Sequence, residues 1–135
     1  MKTLIYFCVC AISLACAASA DMEEKIFQAY QKEMEPYKEK CQKETGADPL
    51  YIEVIMKTGV VSKDPKVMCF AKCMFMNVEV MDKDGKFKKE VIVKKGVAIT
   101  DEMAESCMKS SESEPELCKR SHDFAICIAQ KLAKL

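Results

Sequence analysis

The feature that most constrains the fold is a set of six cysteines that begins at residue 41. The 135-residue chain contains nine cysteines, and the other three fall within the first 16 residues. The gaps between the six are 27, 3, 33, 10 and 8 residues, for Cys41, Cys69, Cys73, Cys107, Cys118 and Cys127. An even number of cysteines in an extracellular chain predicts a disulfide framework, although six cysteines can pair in many different ways.

Residues 1–20 have the composition of a secretory signal peptide. Lys2 provides a positive charge, an apolar run follows it, and a small-residue cleavage pattern ends at Ala20. The apolar run is shorter than the roughly 20 residues that a membrane-spanning helix needs, so we expect no stable membrane insertion. We therefore predict a leader at 1–20 and one secreted, extracellular domain at 21–135, in a compartment where disulfides persist.

The charge distribution argues against several classes of partner. Lysine and arginine total 21, aspartate and glutamate also total 21, and the two signs are interleaved along the chain. This distribution offers no basic patch, so we expect no nucleic-acid partner. A single histidine cannot supply a zinc site, and the cysteines are better used in disulfides, so we expect neither a metal nor a cofactor.

Hydrophobic spacing predicts helices along nearly all of the chain after the leader. Apolar residues recur at 3.6-residue spacing from Ile26 to Cys41 and predict a first helix. Pro36 lies inside this helix and should kink or divide it, because proline lacks an N–H and clashes with the preceding turn. Asp48 and Pro49 are an N-cap and a first-position proline, which predict the start of a short second helix.

The third helix is predicted to start at Asp64-Pro65 and to run to about Val80. Its apolar side chains cover nearly the whole surface, and only Lys72 and Glu79 mark a polar stripe. A helix that is apolar nearly all round is surrounded by other elements. We therefore predict that this helix lies at the centre of the domain.

Three more helices are predicted after a turn at 82–85. The fourth covers residues 87–95, where the β-branched residues also suit a strand and only the helical context favours a helix. Thr100 is the predicted cap of the fifth helix, and Ser113 begins a capping box for a sixth helix that runs toward Leu132. The pattern as a whole predicts an all-α domain.

The leader, the helical pattern and the cysteine spacing together resemble the insect odorant-binding proteins of the six-cysteine pheromone- and general odorant-binding (PBP/GOBP) family. The gaps of 3 and 8 residues are the most diagnostic of that family. The resemblance implies an all-α, six-helix disulfide-stapled bundle that encloses an apolar cavity. It also implies one pairing of the cysteines: Cys41–Cys73, Cys69–Cys118 and Cys107–Cys127.

The function that the resemblance implies is that of a secreted carrier without enzymatic activity. Such a carrier binds small hydrophobic ligands, such as odorants, pheromones or similar volatiles and lipids, in its internal pocket. It delivers them through aqueous fluid to a chemosensory receptor, and we expect a monomer or a weak homodimer. The alternative is a secreted interaction or effector protein that uses the same scaffold and acts through its surface.

Candidate ligand-binding residues follow from helical wheels rather than from a motif. One set comprises inward-facing side chains of the third and sixth helices: Phe70, Met74, Phe124 and Ile128. A second set lies on elements that are expected to line the cavity: Met56, Phe87, Val91, Met103 and Leu132. Nine of the ten methionines follow the predicted leader, and they suit an adaptable apolar pocket because methionine is flexible and polarizable.

One dyad resembles catalytic chemistry. His122-Asp123 lies between Cys118 and Cys127. Some secreted phospholipases have a catalytic His-Asp pair on a helix that is likewise flanked by cysteines. Those enzymes also need a glycine-rich calcium loop, and this sequence contains none. We therefore expect His122 to be a packed or partly exposed structural residue.

Overall fold

The computed structural model describes the backbone of residues 2–135 and the side chains of residues 21–135 except Glu23. The predicted leader at 1–20 lies outside the residues whose side chains are described. Within the described chain there are six helices and no strand, which confirms the all-α prediction: α1 (Lys2–Thr45), α2 (Pro49–Thr58), α3 (Pro65–Asn77), α4 (Lys89–Lys95), α5 (Asp101–Ser111) and α6 (Leu117–Leu132). None of the helices, over the residues described, is long and apolar enough to cross a membrane.

The helices α2, α3 and α5 begin where the sequence predicts. Asp48 and Asp64 are N-caps, and their carboxylates accept hydrogen bonds from the N–H groups of Leu50 and Lys66 at 2.8 and 2.9 Å. Each cap is followed by a proline at the first helical position, where no backbone hydrogen bond is lost. Thr100 caps α5 through its side-chain oxygen, without a following proline, so all three starts are fixed by local chemistry.

Pro36 does not divide α1, contrary to one of the two outcomes predicted for it. The helix continues through Pro36 to Thr45. Proline leaves the carbonyl of Lys32 without its usual N–H donor. Lys32 and Pro36 are both exposed, so water can bond to that carbonyl and the helix can continue.

The end of α3 and the start of α4 differ from the prediction. The third helix ends at Asn77 rather than near Val80, because Glu79 has a φ of 65°, which an α-helix cannot contain. The chain then turns back on itself, and the backbone of Met81 pairs with that of Phe87. The fourth element is a helix, as the context favoured, but it begins after this bridge.

The start of α6 also lies later than predicted. The sequence favours Ser113 as the N-cap, whereas the helix begins at Leu117. Glu116 is the residue that caps it, because its carboxylate accepts from two N–H groups of the first turn at 2.9 and 2.7 Å. A glutamate can therefore replace the shorter side chains that usually cap a helix.

Among the residues whose side chains are described, three disulfides join four of the helices in a row. Cys41–Cys73 links α1 to α3, Cys69–Cys118 links α3 to α6, and Cys107–Cys127 links α6 to α5. These are the pairs that the resemblance implies. Because two of the bonds start from α3, this helix is attached covalently to a neighbour on each side. The helices α2 and α4 contain no cysteine.

The core consists of two clusters of buried side chains that meet at α3. One cluster lies among α1, α2 and α3 and includes Ile52 and Val67. The other is formed by the end of α3 together with α4, α5 and α6, and it includes Ile92 and Ala104. Phe70 of α3 is fully buried. The packing of α3 against both α1 and α6 gives it the central position that its apolar surface predicts.

The turn between α3 and α4 depends on Gly85. Its φ is +82°, and a Cβ at this position would overlap the side chain of Leu117. We expect Gly85→Ala to lower the free energy of unfolding by about 2 kcal/mol, because alanine is strained in this backbone conformation and must also displace Leu117. Urea unfolding followed by far-UV circular dichroism measures the loss.

Gly46→Ala is the matched control for this substitution. Gly46 has a similar φ of +66°, but a Cβ there would meet only the Cδ atom of Lys66 at 4.0 Å. We expect a smaller loss of about 1 kcal/mol, from backbone strain alone. Equal losses at the two positions would show that the contact with Leu117 contributes nothing.

Candidate functional site

An apolar cavity of about 140 Å³ lies where the two core clusters meet. Its wall is almost entirely apolar, and among the described residues α5 contributes no side chain to it. The residues that line it come from the other five helices and their loops: Phe27, Tyr30, Glu33, Met34, Ile55, Gly59, Val61, Phe70, Ala71, Met74, Phe75, Val78, Val80, Ile92, Lys95, Gly96, Ile99, Phe124, Ala125, Ile128, Ala129 and Leu132.

Three aromatic rings support one side of this cavity. The ring of Phe124 stacks on that of Phe87 with centroids 4.2 Å apart, and it meets Phe75 edge-on at 5.8 Å. Phe75 and Phe124 line the cavity, whereas Phe87 does not. Offset-stacked and edge-on rings attract each other beyond their burial, so this side of the cavity is firmly packed.

Five of the nine predicted candidates line the cavity. They lie on α3 and α6: Phe70, Met74, Phe124, Ile128 and Leu132. Phe70 and Met74 are one turn apart on α3 and are 0% and 2% exposed. Since α3 and α6 are bonded through Cys69–Cys118, the same bond that joins the helices turns these faces toward each other.

Two predicted candidates lie one residue away from a lining position. Met56 is buried among α1, α2 and α3, and its neighbour Ile55 lines the cavity instead. Val91 packs against the second cluster, and its neighbour Ile92 lines the cavity. One residue corresponds to about 100° around a helix. The spacing in these short helices does not determine their rotation to that precision.

The last two predicted candidates support the cavity from outside its wall. Phe87 precedes α4 and supports the cavity through its stacking on Phe124 and its edge-on contact with Phe75. Met103 lies on α5 and packs against the second cluster. The helix α5 packs against α6 and is bonded to it by Cys107–Cys127, so it lies outside the ring of lining elements.

The first helix contributes four lining residues that were not predicted. Phe27, Tyr30, Glu33 and Met34 all face the cavity. Phe27, Tyr30 and Met34 have the spacing of one apolar helix face, which is the signal that could have found them. Glu33 has no such signal, because a charged residue beside an apolar helix face is predicted to lie on the solvent-exposed side.

Polar side chains occur at one edge of the cavity, where α1 approaches the end of α4. The Nζ atom of Lys95 lies 2.8 Å from Oε1 of Glu33, and the hydroxyl of Tyr30 donates to the carbonyl oxygen of Val97 at 3.2 Å. The side chains of Glu33 and Lys95 are 46% and 33% exposed. Because these residues line the cavity and also reach solvent, we define Tyr30, Glu33 and Lys95 as its mouth.

The two titratable groups of the mouth with shifted pKa values keep their ordinary forms at neutral pH. The hydrogen bond to Glu33 is the main cause that raises the pKa of Lys95, so the ammonium stays charged. Burial raises the pKa of Tyr30 to about 12, so the phenol stays neutral. The mouth therefore presents an ammonium and an intact hydroxyl group.

His122 is buried on α6 and is not among the lining residues. Its Nδ1 atom lies 3.0 Å from Oδ1 of Asp123. Burial acts to raise the pKa of the Asp123 carboxyl, but hydrogen bonds with Lys119 and His122 outweigh it and lower that pKa. The described part of the chain brings together no group of histidine, cysteine and acidic residues that could hold a metal ion.

Comparisons with known proteins place this architecture in a family. The model of the PBP/GOBP family matches residues 15–131, which is most of the chain. Searches of curated proteins and of solved structures each found no match. The six helices and three disulfides described above agree with the all-α, disulfide-stapled fold of that family. The chain thus belongs to the PBP/GOBP family, whose members are odorant-binding carriers.

Proposed function

We propose that the protein is a secreted carrier that holds a small hydrophobic ligand in the cavity and delivers it through aqueous fluid to a chemosensory receptor. In this proposal residues 1–20 are the leader and residues 21–135 are the carrier domain. Membership of a family of binding proteins supports the carrier role. The observation that carries the proposal is the apolar cavity at the centre of the bundle.

The volume of the cavity limits what it can hold without rearrangement. An apolar cavity of about 150 Å³ stays dry and binds benzene, and this cavity has a volume of about 140 Å³. A compact ligand of benzene's size therefore fits as the side chains stand. Larger ligands need the wall to move, and Met34 and Met74 are the flexible side chains that can do so.

The wall favours weak and reversible binding of such a ligand. Burial of about six carbons contributes roughly 5 kcal/mol, and association costs reduce this gain. We therefore expect a Kd for benzene-sized hydrocarbons of about 1 mM or weaker. Longer ligands bury more carbon and bind more tightly if the wall yields.

The test uses methionine methyl groups as reporters of where the ligand lies. Toluene is added to the oxidised protein labelled with ¹³C at the methionine methyls, and methyl spectra are recorded. We expect the chemical shifts of the Met34 and Met74 methyls to change as toluene is added and then to reach a plateau. Ring currents of the bound toluene act on methyls in contact with it. Met22 is 62% exposed and should not move.

A variant that fills the cavity provides the control. Ala129 lines the cavity and is only partly buried, so Ala129→Leu can occupy part of the space without disturbing the deepest core. We expect this variant to fold and to lose the toluene-dependent shifts. If Met34 and Met74 of the folded wild-type protein do not respond to toluene, carriage in this cavity is contradicted and the surface-acting alternative is favoured.

A further inference from the structure

Among the described residues, the polar side-chain atoms that a bound ligand could reach lie at the mouth. Among the described lining residues, only Tyr30, Glu33 and Lys95 have nitrogen or oxygen in their side chains. The rest of the wall is apolar, and a polar ligand atom buried against it without a partner loses several kcal/mol of hydration. A ligand with one polar atom must therefore place that atom at the mouth.

Lys95 is the donor that the mouth can offer. An ammonium has three N–H groups, and the contact with Oε1 of Glu33 at 2.8 Å accounts for one. The hydroxyl of Tyr30 already donates to the carbonyl oxygen of Val97. Tyr30 and Glu33 can only accept from a ligand in this arrangement, so an acceptor atom on the ligand has Lys95 as its donor.

The charges at the mouth oppose ligands that are themselves charged. Lys95 and Glu33 have opposite charges at hydrogen-bond distance, so their attraction for an ionic group largely cancels. An ionic ligand would still lose much of its hydration beside the apolar wall. A neutral acceptor avoids that loss and gains a hydrogen bond from a charged donor, which is stronger than a bond between neutral groups.

We propose that Lys95 and Glu33 determine ligand specificity by selecting compact neutral molecules with one acceptor oxygen. In such a ligand, a ketone, aldehyde or ester carbonyl accepts from Lys95 at the mouth, and the apolar remainder fills the cavity. The inference rests on the proposed function, because it assigns the class of ligand to the same cavity.

The test compares two ligands of equal size and shape, cyclohexanone and methylcyclohexane. Their Kd values are measured by methionine-methyl NMR titration for the wild-type protein and for Lys95→Met, which keeps an apolar chain but removes the ammonium. We expect the affinity for cyclohexanone to fall about tenfold, because a hydrogen bond to a charged group is lost. The affinity for methylcyclohexane should change by less than about twofold, since its burial is retained.

Two further variants separate specificity from a structural effect. Lys94→Met removes the neighbouring lysine, which is exposed and does not line the cavity, and it should change neither affinity. Glu33→Gln removes the carboxylate in contact with Lys95 and leaves Glu79, which makes no ion pair with it, as the remaining acidic group that acts on the ammonium. It should strengthen binding of cyclopentanecarboxylate severalfold, because the mouth then attracts an anion, and it keeps the inference testable if Lys95→Met fails to fold.

The outcomes distinguish this inference from the proposed function. An equal loss of affinity for cyclohexanone and methylcyclohexane in Lys95→Met overturns the inference, since it shows a general effect on the cavity. Unchanged binding of cyclopentanecarboxylate in Glu33→Gln overturns it as well. If the wild-type protein binds neither ring compound, the proposed function fails and the inference fails with it.

Discussion

Replacing Cys69 and Cys118 together with alanine is expected to lower the free energy of unfolding by about 4 kcal/mol. The bond joins residues separated by 49 positions, so its loss frees a long loop in the unfolded chain. It is also the link between the α1–α3 pair and the α5–α6 pair, because the three bonds connect these four helices in a row. Without this bond, the α1–α3 pair and the α5–α6 pair lose the disulfide between them.

The other two bonds provide a graded control for this prediction. Cys41–Cys73 and Cys107–Cys127 span 32 and 20 positions. Loop-closure entropy then predicts losses of about 3.7 and 3.3 kcal/mol for the corresponding alanine pairs. Guanidinium unfolding of the three double variants gives the order. If removal of Cys107–Cys127 costs as much as removal of Cys69–Cys118, the native packing around each bond outweighs loop length.

The second large effect is expected for Phe124→Ala, with a loss of about 4 kcal/mol. Phe124 is 3% exposed, and its ring contacts those of Phe75 and Phe87. Alanine removes the centre of this aromatic cluster and leaves a space that the neighbours only partly fill. Because Phe124 lines the cavity, that space adds to the volume available to a ligand.

This substitution therefore changes stability and ligand size together. We expect Phe124→Ala to bind naphthalene with higher affinity than the wild-type protein does, as measured by the same methyl titration. Phe27→Ala is the control, since Phe27 lines the cavity but is only half-buried, and its loss should be about 1 to 2 kcal/mol. A stability loss at Phe124 no larger than that at Phe27 would show that the aromatic cluster is not a centre of the core.

Helix starts could be predicted from the sequence where side chains act on their own backbone. Asp48, Asp64 and Thr100 cap helices through hydrogen bonds that span two or three residues, so no tertiary contact is needed. The start of α6 is also capped locally, by Glu116, but Arg120 adds a bond to the carbonyl oxygen of Gly85 in a distant turn. Local spacing contains no information about that distant carbonyl.

The lining residues of the cavity also fall into those that local sequence patterns could predict and those that depend on tertiary packing. Phe70, Met74 and Phe124 could be predicted because α3 and α6 are long and their cysteines indicate which faces meet. The rotation of the short helices α2 and α4 depends on packing against the whole bundle, so their lining residues were missed by one position. The contact between Glu33 and Lys95 joins two helices that are far apart in the chain, and nothing in either local pattern indicates it.

The absence of cysteines from α2 and α4 has a consequence for how ligand preference can change during evolution or engineering. Both helices contribute side chains to the cavity, Ile55 from α2 and Ile92 and Lys95 from α4. Substitutions in them reshape the pocket without straining any bond of the covalent framework. Substitutions on α3 act on a helix that is bonded on two sides. New ligand ranges should therefore be selected first in α2 and α4, with the scaffold unchanged.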